Sequence, residues 1–192
     1  MKRRALLLAC AAAVFASGAE NPKVKESGYA FEPGPAAPLQ QMGAVASSDP
    51  KIALRASGAV YLMAVHGGHS GAKLGLWISH DGGDTFAPPV SISGEGEKVS
   101  SHGENSPSFA FGGTELYALY EKSLPGDGMG TELMLARSLN FGHAFEKAVR
   151  VTDKAEPSTN AFSNLAVARN GDIYAVWLDG RDRGKDAPGT SA

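Results

Sequence analysis

Ser79-His80-Asp81-Gly82-Gly83-Asp84-Thr85-Phe86 follows the apolar run Leu74-Gly75-Leu76-Trp77-Ile78. Together they read as a strand, a tight polar turn and a return to the core at an aromatic. Each turn residue has a physical part to play. Asp81 can accept backbone N–H bonds as an Asx-turn, and Gly82 or Gly83 can supply positive φ. Thr85 adds a weaker hydroxyl bond, and Phe86 carries the chain back inward. A weaker copy, Ser138-Leu139-Asn140-Phe141-Gly142-His143-Ala144-Phe145, follows Leu133-Met134-Leu135-Ala136-Arg137. It keeps the serine, an Asx residue, the glycine and the phenylalanine in register.

Outward from these two turns the chain repeats. Blocks of similar pattern begin at Ser48-Asp49-Pro50, Asn105-Ser106-Pro107 and Phe162-Ser163-Asn164, at equal intervals along the chain. Each holds an apolar segment, a glycine-bearing turn and a second strand with a tyrosine: Tyr61, then Tyr117, then Tyr174, nearly in phase with the blocks. No segment shows a helical period. Short strands at this spacing predict an all-β chain with about four strands per repeat. Four-stranded repeats of this length are blades of a β-propeller. The expected blades run over about 48–104, 105–161 and 162–192, a partial β-propeller of about two and a half four-stranded blades. Propellers close with roughly four to eight blades. The chain therefore reads as truncated, and self-association through open blade edges is expected.

Ahead of the repeat, Met1-Lys2-Arg3-Arg4, an apolar run from Ala5 to Ala16 and Ser17-Gly18-Ala19 form a signal-peptide pattern over residues 1–19. The run is too short to cross a bilayer, which takes roughly 20 apolar residues. Secretion or release to the periplasm is expected, with no membrane span. Loss of this segment removes Lys2, Arg3 and Arg4 and takes the net charge from −2 to −5. The single cysteine, Cys10, lies in it, where Leu7-Leu8-Ala9-Cys10 also resembles a lipoprotein cleavage box. Without it the mature chain has no disulfide and no thiolate metal site. Residues 20–47, with Pro22, Pro33, Pro35 and Pro38, read as a linker or lead-in strand. The negative charge and the lack of a basic stripe argue against nucleic acid as a partner.

The stretch Ser79 to Phe86 resembles the Asp-box, or BNR repeat, of sialidase-like propellers (Ser-x-Asp-x-Gly-x-Thr-aromatic). Ser79, Asp81, Gly83, Thr85 and Phe86 fill every defined position. Ser138, Asn140, Gly142 and Phe145 keep the pattern, with asparagine for aspartate and Ala144 for threonine. Trp177-Leu178-Asp179-Gly180-Arg181-Asp182 also resembles a segment of bacterial sialidase-like proteins. The resemblance covers about 48–182 and implies a six-bladed propeller, which at this repeat length needs roughly 340 residues. It implies a protein acting on or binding terminal sugars of glycans, with exo-sialidase as the family activity, here expected as an incomplete chain without a full catalytic site. It also implies a structural role for the Asp-box, between the third and fourth strands and away from the active site. The family holds sialic acid with an arginine triad and uses a tyrosine nucleophile paired with glutamate. Asp49-Pro50-Lys51-Ile52, where the first such arginine belongs, has none. The alternative reading is a non-catalytic glycan- or protein-binding module of the cell envelope.

In a propeller of this kind, functional side chains are expected from loops 66–73, 121–131 and 178–191, and from the inter-blade segments 93–104 and 152–163. Glu121 and Asp179 leave equivalent strands of neighbouring repeats and are the candidate carboxylate pair, the pairing that most glycoside hydrolysis needs. They compete with a plain role as solvated strand-end charges. Arg181 and Arg183 are candidate anion or sugar ligands, or partners of Asp179, Asp182 and Asp186 in ordering their own loop. Trp177, at a strand end, is a candidate sugar-stacking ring. The tyrosines are expected in the core. No metal is expected: His66 and His69 lack further ligands, and His80 and His143 sit at turn tips. No cofactor is expected either, since the glycines around Asp127 lack the Gly-Lys-Ser/Thr of a phosphate loop.

Overall fold

The computed structural model describes residues 47–68, 71–102, 105–126, 130–153 and 159–180, with the backbone of two short strands upstream. The signal-peptide pattern, Cys10, His69, Asp127, Arg181 and Arg183 lie outside the described residues. The chain divides into two compact units, Met1–Ala44 and Val45–Ala192. In the first unit β1 (Lys25–Glu26) and β2 (Tyr29–Ala30) pair antiparallel.

The second unit is all strand, with no helix among the described residues. β3 (Ser47–Leu54), β4 (Val60–His66), β5 (Lys73–Ser79) and β6 (Val90–Ser91) form an antiparallel sheet in chain order. The next sheet is centred on β9 (Glu115–Ser123), which pairs on one side with β10 (Thr131–Ser138) and through it with β11 (Val149–Arg150). The other edge of β9 is shared. β8 (Ser108–Gly112) covers residues 115–119, and β7 (Val99–Ser100) covers Glu121 and Lys122. A segment that the repeat count groups with the first sheet thus hydrogen-bonds to the second. β12 (Asn160–Val167) and β13 (Ile173–Asp179) form a third, two-stranded sheet.

Strand parity decides the packing, because successive side chains point to opposite faces. Tyr61, Met63, Val65, Leu74, Leu76 and Ile78 of the first sheet form one buried cluster with Leu116, Ala118 and Tyr120 of β9. The alternate residues Tyr117 and Leu119 join Leu133 and Leu165 in a second cluster, with Val167 and Trp177 against it. β9 is therefore buried on both faces, which explains its almost unbroken apolar run. Each fully buried leucine here, such as Leu74, Leu116 or Leu119, contributes about 1.5–3 kcal/mol. The repeated tyrosines divide. Tyr61 and Tyr117 are buried, but Tyr174 is 60% exposed, beside Val176 and Leu178, which are exposed too. Among the described residues, β13 pairs only with β12, and no described strand covers Tyr174 as other sheets cover its two counterparts.

Two bulges mark the sheet starts. The register slips between Ser48 and Lys51 against β4, and between Ala161 and Asn164 against β13. Asp49 (φ 53°) and Phe162 (φ 55°) turn these corners in the left-handed region. Both corners are tied to the middle sheet's segments. Asp49 accepts from the hydroxyls of Ser101 and Ser106, and Phe162 N–H donates to Asn105 Oδ1 at 3.3 Å.

The two turns share one hydrogen-bond pattern. Ser79 Oγ donates to Asp81 Oδ1 (2.7 Å) and accepts from Gly83 N–H (2.8 Å), and Asp81 Oδ1 accepts from Thr85 N–H (2.9 Å). Ser138 Oγ donates to Asn140 Oδ1 (2.9 Å) and accepts from Gly142 N–H (2.8 Å), and Asn140 Oδ1 accepts from Ala144 N–H (2.9 Å). The Thr85 hydroxyl adds a bond to Asp81 Oδ2 (2.5 Å), for which the second turn has no donor. A side chain at Gly142 would force buried Leu76 to shift, since a Cβ there would lie 2.5 Å from Leu76 Cδ2. Where the first turn has Gly82 (φ 76°), the second has Phe141 (φ 58°). Its ring stacks under the Arg55 guanidinium, 4.5 Å from the centroid, and Arg55 also covers Phe111.

Candidate functional site

The turns close β5 and β10 at their C-terminal ends. Two cavities lie at the opposite strand ends, side by side, with Ser100 and Ser123 lining both. The larger, about 280 Å³, runs between the start of β3 and the end of β4 and is walled by Ser47, Ser48, His66, Lys98 and Ser101. His66 packs edge-to-face on Trp77 at 5.4 Å. Burial and then the neighbouring Lys73 hold its pKa below the ordinary imidazole value, so the ring is neutral at pH 7.

The smaller cavity, about 160 Å³, contains Glu121, His102, Asn105, Thr131 and Asn160. Glu121 reaches it by parity, because Tyr117, Leu119 and Glu121 share the face of β9 turned toward β12. It is only 2% exposed. Among the described residues neither carboxylate oxygen has a hydrogen-bond donor, and burial pushes the carboxyl up to about 8. The Thr131 hydroxyl beside it acts in the opposite sense without reaching hydrogen-bonding geometry. At neutral pH Glu121 is therefore mainly protonated, the cheapest state for an unpaired buried carboxyl. Asn160 anchors the first residue of β12, with its backbone N–H on Thr131 Oγ1 (3.1 Å) and its Nδ2 on the Thr131 carbonyl (2.8 Å). Its Oδ1 is buried without a donor.

Asp179 does not join Glu121. It sits exposed at the end of β13, opposite Asn160 in the register, and is not part of the cavity wall. Trp177 is partly buried against Tyr117, Leu119, Leu133 and Leu165, with its indole N–H buried and unbonded. Its ring belongs to the packing between sheets. Arg181 and Arg183 lie outside the described residues. Among those described, no group of three His, Cys, Asp or Glu side chains is placed to hold a metal ion. His80 and His143 stack on each other at 6.1 Å across the two turns. The sequence reading passed over His102, Thr131 and Asn160 as individual residues. The signal for them was positional: all three fall in, or at the end of, segments expected to line a site.

No family model and no curated protein matches the chain. Among solved structures, a Trypanosoma rangeli sialidase in complex with the inhibitor DANA matches with TM-score 0.44 and 13% identity, covering 74% of this chain and 30% of that one. A mutant of Trypanosoma rangeli sialidase displaying trans-sialidase activity matches with TM-score 0.36 and 16% identity, covering 83% of this chain and 22% of that one. The chain spans less than a third of the length of either. At this level of similarity neither match speaks to what the chain binds.

Proposed function

We propose that the chain is an exported, sialidase-like propeller protein that binds terminal sugars of glycans at the cavity-bearing ends of its strands. The observation that carries this reading is the pair of Ser-Asx-Gly-Phe turns. They have the same hydrogen bonds, each leads from a third strand to a fourth, and both lie at the strand ends away from the cavities. That is the placement the resemblance implies for Asp-boxes and ligand sites. Export rests on the basic and apolar pattern of residues 1–19.

Binding rather than hydrolysis is the reading that the cavities favour. No arginine lines either of them among the described residues, and Glu121 and Asp179 do not face one another across a shared pocket. An exo-sialidase-like glycoside hydrolase needs bidentate guanidinium–carboxylate contacts and a tyrosine–glutamate pair. Purified chain applied to a glycan array is expected to retain a defined set of terminal sugars. It is expected to release no fluorophore from a fluorogenic sialoside above buffer. Sialoside turnover would overturn the binding reading in favour of the enzyme, and an array with no retained glycan would overturn the sugar reading altogether.

A further inference from the structure

The Glu121 end of the cavity is rich in acceptors. Glu121 Oε1 and Oε2 and Asn160 Oδ1 are buried oxygens without donors among the described residues, and both side chains line the same space. The Asn160 amide is fixed by its Nδ2 bond to the Thr131 carbonyl, so Oδ1 cannot be exchanged for the donor end. Ser100, Ser123 and Thr131, which line the same cavity, carry hydroxyls, which adapt to either sense. No lysine or arginine lines the cavity among the described residues.

The charged groups around Glu121 can be taken strand by strand. On β9 its neighbour Lys122 is bound to Glu132 of β10 at 2.5 Å, and Arg150 of β11 lies on the same carboxylate at 3.4 Å. Those two cations are held by another acid. On β7 the facing residue is Ser100. The segment after β7 contributes His102, and β12 contributes Asn160, opposite Asp179 of β13. Lys98, just ahead of β7, lines the adjoining larger cavity and not this one; among the described residues, β7, β9, β10, β11 and β12 bring no lysine or arginine to Glu121 that Glu132 does not already hold.

We propose that this cavity is a binding site for a primary ammonium group, whose positive charge and three donors match the buried carboxyl and amide oxygens. An anionic sugar is disfavoured at the Glu121 end, because a carboxylate there would meet the Glu121 and Asn160 oxygens, with only hydroxyls and the side chains of His102 and Asn105 as donors in the lining. A neutral hydroxyl group satisfies the oxygens but cannot stabilise an ionised Glu121. The volume, about 160 Å³, equals roughly five waters at about 30 Å³ each, room for an aminomethyl group with a short stem or for one amino-sugar ring. The amine can come from an amino sugar or from a lysine side chain. The site would hold it whether or not the blades bind other saccharides.

Binding of a cation requires Glu121 to lose its proton. With the free carboxyl titrating at about 8, affinity for an amine that stays charged rises about tenfold from pH 6 to 7, about fivefold from pH 7 to 8, and then levels. Calorimetric titration of the full chain with n-propylammonium, glucosamine, N-acetyl-lysine methylamide and glucose, at pH 6 and pH 8, tests this. The expected result is propylammonium binding about 50-fold tighter at pH 8 than at pH 6. Proton release should be visible as heats that change with the buffer's ionisation enthalpy, while glucose stays weak. The tighter of glucosamine and the lysine amide, each affinity corrected for its ammonium fraction at the working pH, identifies the source of the amine. Glu121→Gln, isosteric and uncharged, is expected to remain folded and to lose both the affinity and its pH dependence. Glucose binding as well as propylammonium, pH-independent affinity, retained binding in folded Glu121→Gln, or no amine binding by the folded chain at pH 8 each overturn the proposal.

Discussion

The first and second turns, Ser79 to Phe86 and Ser138 to Phe145, are built from the same hydrogen bonds with unequal residues. The serine hydroxyl and the Asx oxygen do the same work in both, at equal or nearly equal distances. What differs is charge and backbone freedom. The first turn has an ionised aspartate, a threonine hydroxyl to bind it, and a glycine in the left-handed region. The second has an amide, an alanine, and a phenylalanine forced into that region. The comparison separates what the turn requires, a buried serine and an Asx oxygen, from what it merely accommodates. Phe141 shows how the accommodation is offset, since its ring supports Arg55 and so helps join the first two sheets.

The comparison can be broken most forcefully at Gly142. Gly142→Ala combines a left-handed backbone with a Cβ against Leu76 and Leu116, and is expected to cost about 3 kcal/mol by urea unfolding. Next come the serines, both fully buried. Ser79→Ala and Ser138→Ala should each cost about 1–3 kcal/mol and by similar amounts, and a clear inequality would show that the two turns are not energetically equivalent. Gly82→Ala, with φ 76° but open space around it, should cost only about 1 kcal/mol. The matching Phe141→Gly should change stability little, because relief of backbone strain offsets the lost cation–π contact.

The most specific change is Asp81→Asn, which converts the first turn's acid into the second turn's amide. Hydrogen bonds from the Thr85 hydroxyl, the Thr85 N–H and the Ser79 hydroxyl hold the Asp81 carboxyl well below the usual carboxylate range. Its contribution is therefore present above about pH 4, the unfolded value, and is lost as pH falls toward the depressed folded value. Thermal unfolding between pH 7 and pH 2 should show a steeper acid loss in the parent than in Asp81→Asn, and parallel curves would count against the charged turn.

The turns and the all-β class were legible because their signals are local. A serine, an Asx residue, a glycine and an aromatic specify a hydrogen-bond pattern within one short stretch, and alternation specifies strands. The strand-two tyrosines show the limit. Similar in sequence context, Tyr61 and Tyr117 are buried while Tyr174 is exposed, because burial depends on what another sheet brings to that face. The cavity of Glu121 fails to announce itself for the same reason. Glu121 was visible as a strand-end acid, but its partnerless burial depends on Asn160 arriving at the head of a strand in the next sheet. Asp179 looked equivalent, but it is exposed at the end of β13 and does not line that cavity.

The two-sided burial of β9 also sets an order of events. Its amides are held by β10 on one edge and by β7 and β8 on the other, and both its faces are packed. Opening it requires both neighbouring sheets to separate. Hydrogen exchange should therefore find the amides of Leu116 to Tyr120 among the last to take up deuterium, while those of the two-stranded β12 and β13 exchange by local opening well before the rest.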